Sequence, residues 1–412
     1  MTEINITESL DRIVAAACYH PFYRDQFKGV ARFEDCPVLE KRVLYQQVQV
    51  AMRDPAFRQG TYFSPTGGTT TGSSFYFPTA IAENKRQRHL LAKRLAASGI
   101  VQPTSVVLNM FPCTRLVRSL EIFSEYCELC GATVLPVGAH ETNEEVWSVA
   151  RQFGATLLAG MPSRLIAFAR WLQTTGQCLP TGSLPTEGGL TIEKVLIAGE
   201  LLHPPKRQML ERAFGVHCFS GVYGSAEMGV AAYQADLCAP PVYRFPLEIL
   251  YVEIVEADGE GFGKLVATNL VRTHHPLVRY DTGDVGRVVN RTADEVWVEL
   301  RGRGGDSFAI GGGYWHLADF AGVLSRFAEW QIVIEFDEEA GMDRIRFHVV
   351  TDDSPAESLQ RELTVAIRAI LEADDQTHLT DVAFVPAVAL RRHPATLKVP
   401  SILDLRKGGR QT

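Results

Sequence analysis

Residues 64–74 read SPTGGTTTGSS: ten of eleven are Ser, Thr or Gly, and Pro65 is the exception. Such a segment has almost no apolar surface and cannot build a core. It can enclose an anion, because small side chains let backbone N–H groups approach and each hydroxyl can donate a hydrogen bond. Polyphosphate is the guest that this chemistry suits, with Thr66, Gly67, Gly68, Thr69, Thr70 and Thr71 as the cradle. No Gly-Lys-Ser/Thr follows at P-loop spacing, so it is not that loop. Taken alone, the segment fits a surface linker equally well. Cys127 and Cys130 form a CxxC, but no second CxxC or His pair stands near them in sequence. They read as core cysteines at a helix end rather than as a metal or redox pair.

Composition narrows the class. At 412 residues the chain needs more than one core. Hydrophobic content of 46% with 22% charged residues is that of a globular protein. A net charge of −7 with no basic stripe argues against a nucleic-acid partner. The N-terminus lacks the basic start and apolar run of a signal peptide, and no stretch is apolar for long enough to span a bilayer. Eight scattered cysteines fit free thiols, hence a cytoplasmic location.

The elements that must position the loop alternate. Residues 6–18 have helical apolar spacing, with Thr7 or Ser9 as the expected cap. Strands are expected at 105–111, 132–137, 155–160 and 194–199, and helices at 119–131, 143–154, 162–176 and 204–215. This alternation predicts an α/β fold with a mainly parallel, helix-flanked sheet. After about Pro240 short strands separated by turns predict a β-rich subdomain. Beyond a Gly-rich hinge at 302–313 a small α+β unit follows. The predicted domains are 1–302 and 303–412.

Five segments then fall in order: the 64–74 loop, VYGSAEMG (222–229), VRYDTGDVG (278–286), the Gly302–Gly313 hinge and Lys398. Together they resemble the adenylate-forming superfamily of acyl-CoA synthetases and peptide-synthetase adenylation domains. HPFYRDQF (20–27), CPVLEKR (36–42), GATVLPVG (131–138) and GMPSRL (160–165) extend the likeness toward phenylacetate-CoA ligases. The resemblance implies a large N-terminal portion and a small C-terminal lid. It implies ATP and Mg²⁺ as cofactors and coenzyme A as co-substrate.

By that resemblance Tyr223 stacks on adenine, Gly221, Gly224 and Ser225 shape the turn against the nucleotide, and Glu227 holds Mg²⁺. Asp284 takes the ribose hydroxyls, Arg303 contacts ribose, and Gly199 with Glu200 lines the adenine pocket. Asp306 is the expected hinge pivot. Lys398 bridges the carboxylate and the α-phosphate, with Asp404 following closely. The acyl pocket is expected near Asn109, Met110, Phe111 and Pro112. His274 and His275 read as structural or pocket-edge residues. The chain departs from the pattern at Gly72 and Ser73, where relatives carry a lysine, at Ala226, where a hydroxyl is usual, and at Leu397, where Gly is usual. The implied reaction is ATP-dependent activation of an aromatic carboxylic acid, then transfer to a thiol. The alternatives are a carrier-protein thiol, amine or reductase acceptor, as in phenazine antibiotic biosynthesis, and a silent nucleotide-binding regulatory subunit. The resemblance leaves room for a homodimer.

Overall fold

The computed structural model describes residues 5–21, 23, 26–65, 76–113, 116–177, 190–199, 204–216, 218–234, 242–303, 307–311, 313–324, 326–327, 329–350, 357–371, 377–391 and 401–407. Helix α1 (Ile6–Tyr19) opens the chain. Its cap is Asn5, whose side chain accepts from the Glu8 N–H at 3.2 Å, so the cap lies before the expected Thr7 or Ser9. Helices α2 (Lys41–Ala51) and α3 (Pro55–Arg58) lead to the hairpin β1 (Thr61–Pro65) and β2 (Tyr76–Ala80). Helix α4 (Ile81–Ala97) follows.

An alternating run comes next: β3 (Val106–Asn109), α5 (Ser119–Leu129), β4 (Thr133–Leu135), α6 (Asn143–Phe153), β5 (Leu157–Gly160), α7 (Pro162–Thr174), β6 (Lys194–Ile197), α8 (Pro204–Phe214) and β7 (Cys218–Ser225). Local signals set these boundaries. The Thr142 hydroxyl caps α6, Gly154 ends it at φ 65°, and Pro162 begins α7. Strand β5 is buried along its whole length, as a parallel strand covered on both faces must be. Strands β4, β3, β5, β6 and β7 pair in parallel in that spatial order. The order reverses between β3 and β5, which is where an open α/β sheet leaves a crevice at its carboxyl ends.

The strands of the β-rich segment do not form a sheet of their own. Strands β8 (Gly229–Gln234), β9 (Val242–Pro246), β10 (Leu250–Val255), β11 (Gly263–Asn269), β12 (Tyr280–Arg291) and β13 (Glu295–Arg303) pair antiparallel and continue from β7. One 11-stranded sheet results, in the order β10-β11-β12-β13-β9-β8-β7-β6-β5-β3-β4. In β12 buried and half-buried residues alternate from Tyr280 to Arg287, the pattern of a sheet with one face on the core.

The last segment holds the hairpin β14 (Ser307–Ile310) and β15 (Gly313–His316), the short α9 (Ala321–Leu324), and β16 (Trp330–Asp337), β17 (Met342–Val350), α10 (Glu357–Ile370), β18 (His378–Val385) and β19 (Ile402–Asp404). Four of its strands form a sheet ordered β18-β17-β16-β19. Its core is its own: Phe308, Phe320, Ile345, Phe347 and Leu363 pack together. It touches the larger part through α7, where the Arg170 guanidinium donates to the carbonyls of Glu338 (2.7 Å) and Glu339.

Candidate active site

Strands β7 and β8 carry the YGSAEMG turn. A bulge falls between Tyr223 and Gly224. A Cβ on Gly224 would stand 2.3 Å from the Gly229 carbonyl oxygen and 2.6 Å from the Val230 Cα, so only glycine fits. Gly221 lies behind it, with the Tyr243 hydroxyl 3.4 Å from where its Cβ would be. The turn is clamped from outside. Arg272, fully buried, donates to the Glu227 carbonyl at 2.5 Å, to Asn84 at 3.2 Å and to Gln87 at 3.2 Å. Gln87 donates to the carbonyls of Met228 and Val230, both at 2.9 Å, and Asn269 reaches Met228 at 3.2 Å.

Tyr223 donates its hydroxyl hydrogen bond to Asp284 Oδ2 at 2.5 Å. Its ring meets Phe245 edge-on at 5.5 Å and Tyr243 at 5.7 Å. Asp284 is buried on β12, and its N–H donates to the Thr282 hydroxyl at 3.1 Å. Burial, with Asp284 adding to it, pushes the Tyr243 hydroxyl up to about 12. Arg303 pairs by backbone register with Asp284 at the end of β13. The side chain of Arg303 is outside the described residues, as are Thr66, Gly67, Gly68, Thr69, Thr70, Thr71, Glu200, Asp306 and Lys398. Asp404 ends β19 and accepts from Arg406 at 2.9 Å and 2.7 Å, and Arg406 also reaches Asp343 at 2.8 Å, so it belongs to an ion network inside the last segment.

Glu227 is 3% exposed and held by helix α2. The Tyr45 hydroxyl donates to Oε1 at 2.5 Å, and the Lys41 ammonium stands 3.9 Å away. Burial disfavours its charge, but Lys41, the Ser225 hydroxyl and Tyr45 outweigh burial and hold the carboxyl below the usual range. This donor set does not fit a preformed magnesium site. The neighbour of the carboxylate is a cation, and among the described residues no three His, Cys, Asp or Glu side chains converge. Neither Lys41 nor Tyr45 was evident in the sequence, because nothing in CPVLEKRVLYQQ ties them to a residue so far along the chain.

A cavity of about 220 Å³ lies at the carboxyl ends of the parallel strands. Ala198 and Gly199 after β6 line it, as do Gly224, Ser225 and Ala226. Gly199 has φ +83°, which favours glycine. The opposing material comes from α4 and α5, notably Arg88, Ile122, Phe123 and Tyr126. The acyl-pocket expectation at 109–112 is therefore corrected. Asn109 is fully buried and donates inward to the Leu120 carbonyl and Ser124; Met110 is buried in the core; none of the four lines the cavity. Phe111 stacks on Phe123 at 3.9 Å and so backs the lining from behind.

His274 and His275 join His20 and Phe57 in a ring cluster in which His20 and His275 are buried, with His274 and His275 4.6 Å apart and His20 4.6 Å from Phe57. They lie away from the cavity lining, as structural residues. Cys127 and Cys130 are buried free thiols, which burial pushes up to about 12 and about 11. No described helix is long and apolar enough to cross a membrane.

No protein-family model matches the chain. Among characterised proteins it is similar to indoleacetate–lysine synthetase of Pseudomonas savastanoi, 24% identical over 226 residues, covering 54% of this chain. The match spans about half, 52%, of that relative's length. Among solved structures, 2-hydroxyisobutyryl-CoA ligase with its acyl-AMP and CoA, in the thioester-forming state, aligns over 97% of this chain and 88% of its own at 20% identity and a TM-score of 0.73. The post-adenylation state of the same ligase aligns with a TM-score of 0.61. The amide bond synthetase McbA of Marinactinospora thermotolerans aligns over 83% of this chain and 68% of its own at 17% identity and a TM-score of 0.52. The chain has the fold of the adenylate-forming ligases.

Proposed function

We propose that this chain uses ATP to activate a carboxylic acid, then hands the acyl group to a thiol, coenzyme A. The single observation that carries the reading is the cavity at the strand ends, bounded by Gly199 and by the Gly224–Ala226 turn. Its wall combines the glycine-rich turns at Gly199 and Gly224 with the apolar and aromatic side chains Ile122, Phe123 and Tyr126, which suits a nucleotide on one side and an acid on the other. The acid's carboxylate oxygen attacks the α-phosphorus, the bond from that phosphorus to the bridging oxygen breaks, and pyrophosphate leaves. The thiol then attacks the acyl carbon, loses its proton to solvent, and AMP departs. The protein acts by positioning and by neutralising charge.

In this reading Tyr223 faces adenine, Asp284 and Arg303 hold ribose, and Gly199 with Glu200 walls the base. Gly221, Gly224 and Ser225 form the close turn, and Thr66–Thr71 cradle the outer phosphates. Lys398 meets the carboxylate and α-phosphate during the first step. Magnesium bound to ATP would supply charge neutralisation at the phosphates, and Glu227 would be the carboxylate to hold it, with Lys41 displaced. Residues 1–302 form the large domain and 303–412 the lid, a division supported by the separate core around Phe308 and Phe347. The greater likeness to a thioester-forming state supports a lid already turned toward the second step. Ile122, Phe123 and Tyr126 favour an aromatic acid, as in phenylacetate-CoA ligases.

A second acceptor is favoured by one observation: the characterised relative is named for joining indoleacetate with lysine. The test is acid-dependent ATP–pyrophosphate exchange across aromatic acids, followed by product analysis with coenzyme A or with lysine present. Exchange plus acyl-CoA supports the first reading, and exchange plus amide the second. Tight ATP binding with no exchange for any acid would leave a silent nucleotide-binding subunit.

A further inference from the structure

Helix α4 buries Asn84, Gln87, Arg88, Leu91, Ala92 and Leu95 on one face. Three of these are polar, and two are accounted for: Asn84 and Gln87 hold Arg272 and the β7–β8 turn. Arg88 is different. It is 3% exposed and lines the cavity. One nitrogen, Nη1, pairs with Glu125 on α5. Its Nε and Nη2 are buried with no hydrogen-bond partner among the described residues. Buried guanidinium nitrogens without partners are costly, and a planar fork of this kind matches a carboxylate through paired N–H donors.

The other buried cation on the cavity wall cannot supply this function, because Arg272 spends its three nitrogens on Glu227, Gln87 and Asn84. The reacting carboxylate belongs at the wall made by Gly224, Ser225 and Ala226, beside the nucleotide turn. Arg88 enters from α4, next to the Phe123 and Tyr126 wall. Resting on the acid-activating function proposed above, we infer that Arg88 is a specificity-determining residue and that the acid carries a second carboxylate, on an aromatic ring. Nε and Nη2 grip that second group while the first reacts.

Paired acids test this: benzoate against phthalate, isophthalate and terephthalate, and phenylacetate against its three ring-carboxylated forms. Pyrophosphate exchange is measured alongside calorimetric binding to the intact chain. At least one diacid should exceed its monoacid by about 10²-fold in kcat/KM, because an unfilled buried donor pair penalises the acid lacking the group. Arg88→Met should erase that ratio, and Arg88→Lys, which keeps the charge but not the fork, should restore part of it. No diacid preference in the wild-type chain overturns the inference, whether or not either variant folds. So does a diacid-to-monoacid ratio that Arg88→Met leaves unchanged. If no acid supports exchange, the acid-activating function fails, and calorimetry alone decides: tighter diacid binding by the wild-type chain sustains the Arg88 site, and equal binding removes it.

Discussion

The hydroxyl of Tyr223 on β7 donates to the carboxylate of Asp284 on β12 at 2.5 Å, although β8, β9 and β13 lie between those strands in the sheet. Laid flat, four interstrand steps would separate them by roughly 19 Å. The antiparallel half of the sheet must therefore curl until β12 faces β7. That curl brings the YGSAEMG and TGD segments into one place, 61 residues apart in sequence.

The pair should behave as a unit toward nucleotide. Asp284→Ala removes a buried acceptor and should cost ATP binding on the order of 2–4 kcal/mol. Tyr223→Phe keeps the ring and removes only the bond to Asp284, and should cost about 1–2 kcal/mol. Their double variant should lose less than the sum, since both touch one contact. Nucleotide titration by calorimetry measures all three. Unchanged affinity in Asp284→Ala would remove the ribose assignment.

Gly224→Ala offers a steric test. Its Cβ would meet the backbone of Gly229 and Val230, which cannot swing aside as a side chain could. The turn should open, with a stability loss of about 1–3 kcal/mol and loss of pyrophosphate exchange. Gly259→Ala, where a Cβ would meet nothing within 4 Å, is the control and should leave both unchanged. Equal urea midpoints for the two variants would show that the close approach is not limiting.

Much of this was legible in the sequence for identifiable reasons. The parallel half announced itself through apolar strands and glycine stops such as Gly154, which are local signals. The YGSAEMG and TGD segments were legible as ordered motifs, and the structure brings Tyr223 and Asp284 of the two together. What stayed hidden depends on distant partners. Asn109 looked like a pocket residue at a strand end, but it donates inward to Leu120 and Ser124 and leaves α5 to make the wall. The buried polar face of α4, Asn84, Gln87 and Arg88, did leave a trace: polar residues stand on the helical spacing that Leu91 and Leu95 continue. Polar groups on a core-facing stripe signal a buried task, though not which task.

The His20–His275 cluster should make the fold acid-sensitive. Burial, with the neighbouring His274 adding to it, lowers His20 to about 4 and His275 to about 3, from an ordinary value of 6.5. Folded, both imidazoles stay neutral; unfolded, they take up protons below 6.5. Their contribution is fully present above pH 6.5 and is lost as pH falls from there toward 4 and 3. Each adds a slope approaching 1.4 kcal/mol per pH unit within that window. Denaturation midpoints measured from pH 7.5 to 4.5 should fall, and His275→Phe should flatten the fall. A profile that His275→Phe leaves equally steep would assign acid sensitivity to other groups.

Arg170 should govern which half-reaction the lid favours. Its guanidinium reaches from α7 to the carbonyls of Glu338 and Glu339 in the β16–β17 turn, and Phe336 packs nearby against the core beside α7. These bonds tie the last segment to α7, and in the function proposed above this arrangement is the one for transfer to the acceptor. Removing hydrogen bonds from a charged donor at a partly exposed contact weakens that arrangement by about 1–2 kcal/mol, a population shift of about 5–30-fold. Arg170→Ala should therefore slow transfer from synthetic acyl-AMP to the acceptor by up to that factor, while pyrophosphate exchange from acid and ATP holds or rises. Lys398→Ala should do the reverse, with exchange falling about 10²–10³-fold and transfer from acyl-AMP persisting, because in the role proposed for it that cation acts only in the step in which charge builds at the α-phosphate. The two variants, assayed on both half-reactions, form a crossed pattern. If Arg170→Ala slowed both steps equally, the contact would be a general stabiliser of the chain and not a hold on the lid.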